Sequence, residues 1–210
     1  MAEQQKQEDL TKVIAELEKK CAEHPNSVMA HHKLALVYRK AGRHEDALRE
    51  LRKVIEIDPL SSESHVNLGA VYFEQGRFDE ALQANEKALE ILPESAQAHA
   101  NLGLIWQNKG EAEKAIEAYK KATQYDPKLV TAWVNLASAH IMADNLKEAL
   151  EAAKQGVSLE PDFPMARNNL AVALYYNGEY QAARQEAEKA KDLGYQVDPR
   201  FLDALDEALK

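Results

Sequence analysis

Three groups of side chains with chemical potential recur or cluster in this chain. His31, His65 and His99 stand 34 residues apart, Cys21, His24, His31 and His32 crowd one short segment, and Asn67, Asn101, Asn135 and Asn169 repeat at that same step of 34. Imidazole and thiolate are zinc ligands that sit roughly 2 Å from the ion. A carboxamide donates from its nitrogen and accepts at its oxygen, so a row of four could satisfy the N–H and C=O groups of an extended polypeptide. Which of these uses is open depends on the elements that hold the residues.

The same step of 34 governs Pro25, Pro59, Pro93, Pro127 and Pro161, Leu34 to Leu170, Ala47 to Ala183, and the small series Ala35, Gly69, Gly103, Ala137 and Ala171. Chance does not produce four matched series. A fixed period of this length marks units that cannot bury their own apolar faces, so neighbours must stack. Leu68, Val71 and Tyr72, then Ala81, Leu82, Ala88 and Leu89, fall at the three-four-seven spacing of two amphipathic helices. Gly42, Gly76, Gly110 and Gly178 separate the helices, where a tight turn needs one residue at positive φ. Asp144 replaces glycine once, and Asp tolerates that region better than most residues. Proline ends the second helix of the first four units, because it lacks an N–H and favours extended backbone before it.

The small-residue positions, turn glycine, alanine and terminal proline of a 34-residue unit resemble the tetratricopeptide repeat. The resemblance covers residues 28–197 and implies an all-α, right-handed α-solenoid, a single domain of units 28–61, 62–95, 96–129, 130–163 and 164–197. Residues 1–27 are expected to supply a half-repeat whose apolar stripe is Leu10, Val13, Ile14, Leu17 and Cys21, and residues 198–210 a capping helix with Phe201, Leu202, Leu205 and Leu209. Arg184 stands where Leu48, Leu82, Ile116 and Leu150 stand in other units, and Lys191 where Ile55, Leu89 and Val157 stand, as suits a face covered by a small cap. The family's frequent Trp at the fourth position is here His31, His65, His99, Trp133 and Arg167, and Tyr195 stands where the last proline is expected.

This register removes most of the chemistry. Stacked helices lie about 8–10 Å apart, so three histidines spaced one per unit cannot share a zinc ion. Cys21 sits where Ile55, Leu89 and Val157 sit, and His140 and His44 replace aromatic or aliphatic core residues, so all three are expected to pack. No phosphate loop, zincin helix or nucleophile elbow occurs, and no catalytic residue, metal or cofactor is expected. The net charge of −9 opposes general nucleic-acid binding. No apolar run reaches the length of a membrane span, and Met1 to Gln5 has no signal-like character, so a cytoplasmic protein is expected. One cysteine fits a reducing compartment.

The resemblance also implies that positions two, five, six, nine, twelve and thirteen of each first helix line a concave face. Position six carries the asparagine row, similar to the ladder in family superhelices that hold extended polypeptides, including those fused to glycosyltransferases. The same asparagines could instead cap or solvate the helix face. Around them the lining includes Phe73, Leu104, Gln107, Ile141, Tyr175 and Tyr176, with apolar groups that suit anchors of a peptide or helix. The family's clamp for a C-terminal carboxylate is missing, since His32 and Leu36, or Val66 and Ala70, stand where Lys and Asn are required. Residues 28–61 hold seven Lys/Arg against five Asp/Glu, whereas 62–95 hold two against seven; Arg39, Lys40 and Arg43 form a basic cluster that is a solvated face or a contact for an acidic partner. The expected function is a non-enzymatic adaptor or scaffold for a protein or peptide partner, with self-assembly through the terminal units as the alternative.

Overall fold

A computed structural model describes residues 2–210, with side chains described from Leu10 onward. The described residues form twelve helices and no strand. The first, α1 (Ala2–Glu23), is followed by pairs: α2 (Val28–Lys40) with α3 (His44–Ile57), α4 (Ser62–Glu74) with α5 (Phe78–Ile91), α6 (Ala96–Asn108) with α7 (Ala112–Tyr125), α8 (Val130–Met142) with α9 (Leu146–Leu159), and α10 (Pro164–Tyr176) with α11 (Tyr180–Asp192). The short α12 (Pro199–Ala208) closes the chain. The chain is an all-α protein of stacked helix pairs, in two compact units that divide between Asn101 and Leu102.

Local chemistry sets the helix limits. The turn glycines Gly42, Gly76, Gly110 and Gly178 have φ between +71° and +79°, and Asp144 takes the same turn at +58° as its position predicts. At the other end, Asp58, Leu92, Asp126 and Glu160 leave the helix with φ from −130° to −138° just before proline. The last second helix lacks that proline and stops differently: Gly194 at φ +89° turns the chain, and the Tyr195 N–H reaches back to the Ala190 carbonyl at 2.9 Å.

In the first unit, Ile14 and Cys21 of α1 are buried, and the core continues through Leu34, Tyr38, Leu48, Leu51 and Val54. Val13, assigned to the same stripe, is 42 % exposed because the helix turns it away from α2. Burial, with Glu50 and Glu18 nearby, pushes the Cys21 thiol up, which fits a small packed hydrophobe rather than a nucleophile. The second unit has one continuous core from Ala115 to Leu205, and Phe201 and Leu202 of α12 pack against it. Arg184 is held at that cap by Asp206 at 2.7 Å.

The small-residue series is enforced by contact. A Cβ on Gly103 would stand 2.6 Å from the fully buried Tyr119 ring, and one on Gly69 would stand 2.2 Å from the Asn85 amide nitrogen. Gly110 meets nothing within 4 Å and is required only for its positive φ. Gly103→Ala is therefore expected to destabilise the protein by about 1–3 kcal/mol through overpacking, and Gly110→Ala by about 1–2 kcal/mol through backbone strain alone. Thermal or urea denaturation measures both, and an unchanged midpoint for Gly103→Ala would contradict the packing.

Candidate functional site

In four of the five repeats the fourth position has a bonding role that its side-chain types conceal. His31 Nε2 donates to the Pro25 carbonyl at 3.1 Å, His99 Nε2 to Pro93 at 3.0 Å, Trp133 Nε1 to Pro127 at 2.9 Å, and Arg167 Nε to Pro161 at 2.7 Å. Three residue types thus perform one task, tying the proline turn to the helix that follows it. The sequence signal is an N–H donor six residues after each proline.

Two of these positions add a carboxylate. His31 Nδ1 lies 2.7 Å from Glu50, and Arg167 Nη1 lies 2.7 Å from Glu186, with all four side chains largely buried. Glu50 and Glu186 occupy one register position, where the other units have Ala84, Ala118 and Ala152. Cys21, His31 and Glu50 each place one possible ligand atom within 4.8 Å of the others. The Arg167 pair identifies the arrangement, because a guanidinium makes the same two contacts and cannot ligate a metal. His31 and Glu50 form a hydrogen-bonded pair beside a packed thiol. Burial would raise the Glu186 carboxyl, but hydrogen bonds from Lys189 and Arg167 outweigh it and hold the group below the usual range.

The asparagine row is less free than its spacing suggests. Asn101 Nδ2 donates to the Val66 carbonyl at 3.4 Å and to Asn85 Oδ1 at 3.1 Å, while its oxygen accepts from Gln97 at 3.1 Å. Asn169 Nδ2 donates to the Val134 carbonyl at 3.0 Å. Asn67 Nδ2 stands 2.9 Å from His32 Nε2. Asn135 is half-buried on the same helix face. At Asn67, Asn101 and Asn169 the amide nitrogen therefore reaches a neighbouring first helix and stitches two repeats together. Both protons of Asn101 are used, so this residue can offer a ligand only its oxygen.

The predicted lining residues separate into packed and accessible groups. Phe73 is half-buried with its ring 5.5 Å from Phe78, and Tyr175 stands 5.5 Å from Tyr176, Tyr180 and Phe201. Gln107 accepts from the Tyr119 hydroxyl at 3.0 Å and donates to Ser138 at 3.2 Å. Leu104 and Ile141 are half-buried. Arg39 makes two bonds to Glu74 Oε1, at 2.7 and 2.9 Å, so its charge is already matched. Tyr176 is 52 % exposed, and Met142 and Met165, which sequence reasoning did not single out, are 48 % and 41 % exposed. Register positions two and thirteen could have found them. In the second unit, the side chains at the lining positions from Leu104 to Tyr176 include no charged group.

The sequence profile described as tetratricopeptide repeat matches residues 32–96 and 134–194, and a second, described as TPR repeat, matches residues 108–142. The chain belongs to the tetratricopeptide repeat family, a fold of protein-interaction modules. Among solved structures, PilF of Pseudomonas aeruginosa is 26 % identical, with a TM-score of 0.78 over 87 % of this chain and 84 % of that one. YrrB, described as a TPR protein with an unusual peptide-binding site, is 20 % identical with a TM-score of 0.66 over 91 % of this chain and 97 % of its own. A chain of the Cut9–Hcn1 hetero-tetramer of the APC/C is 16 % identical with a TM-score of 0.84, covering 97 % of this chain and 40 % of that chain. The last two share the fold. No curated protein matches the chain. Among the described residues no helix is long and apolar enough to cross a membrane.

Asn85 is fully buried, and its oxygen depends on Asn101. Asn101→Ala is expected to cost about 1–3 kcal/mol by leaving that oxygen unpaired, read as a lower urea midpoint with native helicity retained. An unchanged midpoint would oppose the stitch. Burial lowers His140 and His65 below their ordinary 6.5, with Lys120 and Lys87 respectively adding to it. The unfolded chain then takes up protons first as pH falls through about 6.5, so stability drops toward pH 5. Urea midpoints between pH 7 and 5 should show this fall, and it should shrink in a His65→Gln/His140→Gln variant.

Proposed function

We propose that the protein is a non-enzymatic adaptor or scaffold whose first-helix face binds a peptide segment or helix of another protein. The observation that carries this reading is the uncharged lining of the second unit, where Met142, Met165 and Tyr176 stay exposed beside a row of carboxamides. Exposed large apolar groups next to polar groups with spare hydrogen-bonding capacity favour a partner that brings apolar anchors and backbone polar groups together. Asn67, Asn101, Asn135 and Asn169 hold the helices that form the face and present their remaining capacity to the partner backbone. Phe73, Leu104, Gln107, Ile141, Tyr175 and Tyr176 shape its apolar part, and Arg39, neutralised by Glu74, sets a charged border in the first unit. The repeat units of this proposal run 28–61, 62–95, 96–129, 130–163 and 164–197, flanked by 1–27 and 198–210. The protein acts in the cytoplasm with no cofactor.

Display selection of peptides against the purified full chain, followed by calorimetry, tests the reading. Tyr176→Ala and Met142→Ala are expected to weaken a selected peptide at least about tenfold, the loss typical of an interface anchor. Asn135→Ala should weaken it several-fold, and Lys53→Ala on a second helix should leave it unchanged. Equal affinity across all four variants would reject the face. Light scattering of the free protein separates adaptor from self-assembly, since a mass that grows with concentration supports the latter.

A further inference from the structure

A cleft of about 620 Å³ opens in the second unit between α7, α8 and α9, apart from the first-helix face, and is lined by His140, Lys120, Trp133 and Leu136 among others. The register explains why it is there. Position eleven is Tyr38 in α2 and Tyr72 in α4, and both phenols extend to one position on the preceding helix. The Tyr38 hydroxyl donates to Glu18, and the Tyr72 hydroxyl accepts from Arg52 at 3.0 Å. Arg43 and Arg77 cover the two rings at 4.4 and 4.5 Å. In the fourth repeat the same three positions hold His140, Lys120 and Asn145. The imidazole is shorter than a phenol, and the covering cation is gone. The space that a tyrosine fills elsewhere is left open.

His140 is only 3 % exposed, and its Nδ1 is buried without a hydrogen-bond partner. The ring is one of the side chains that line the cleft. Burial holds the ring neutral, reinforced by Lys120. Lys120 supplies a donor, Trp133 and Leu136 an apolar wall, and Lys147, Glu148 and Glu151 a rim of mixed charge. With two lysines against two glutamates the lining carries no net charge, which suits a neutral aromatic hydroxyl, in a volume ordinary for a small-ligand site.

We propose that this cleft binds a phenol ring, its hydroxyl oxygen accepting from Lys120, in the place that tyrosine occupies in the first two repeats. The phenol comes from a free small molecule or from a partner's tyrosine side chain. The test uses the full chain and p-cresol as probe, followed by the Trp133 indole N–H signal in NMR spectra. Saturable shifts are expected, with a dissociation constant on the order of 1 mM for so small a ligand. His140→Tyr fills the cleft from within and should abolish the shifts while raising the melting temperature. Lys120→Met, at an exposed position that leaves folding intact, should weaken binding at least about threefold, the loss of one hydrogen bond. A capped pentapeptide with a central tyrosine, run beside p-cresol, identifies the source: tighter peptide binding assigns a partner's tyrosine, and equal or weaker binding a free phenol. Absence of saturable shifts up to 20-fold above that constant, or p-cresol binding that survives both substitutions, overturns the proposal.

Discussion

No helix pair in this chain can bury its apolar face within itself, so every pair must be finished by the next, and that dependence determines what each recurring position is allowed to be. Where α6 approaches α7, a glycine at 103 lets the Tyr119 ring lie against bare backbone. Where α4 approaches α5, Gly69 makes room for a buried Asn85. The two ends meet the same demand differently: α1 supplies one buried stripe, and α12 inserts Leu205 and ties itself to α11 through Arg184.

Much of this was legible in the sequence because proline, glycine and small-residue positions act through backbone geometry, which a single residue type can encode. The helix pairs, the turn at Asp144 and the core placement of Cys21 and His140 follow from those rules. Bonds between repeats were harder to see. That Asn101 donates to Val66 and Asn85 depends on how far one helix slides along another, and a spacing of 34 residues carries no such information. Val13 belongs to an apolar stripe by periodicity and still faces water, since the stripe is wider than the helix it meets.

The fourth position shows the limit from the other side. His31, His99, Trp133 and Arg167 differ in size, charge and aromaticity, and a comparison of residue types separates them. Their shared property is an N–H at a fixed reach from the proline carbonyl. Glu50 and Glu186 then follow a second rule, appearing where that donor is His31 or Arg167 and replaced by alanine elsewhere. A residue that looks like a ligand or a catalytic base is explained once its counterpart in another repeat is compared.

The donor-to-proline bonds also bear on how the protein would come apart under load. Each one fastens a turn to the helix after it, so drawing out such a turn requires breaking its tie. Released a period at a time, 34 residues at about 3.4 Å each would lengthen the tether by roughly 115 Å per event. Chain length stored in this way would be released in steps of one repeat.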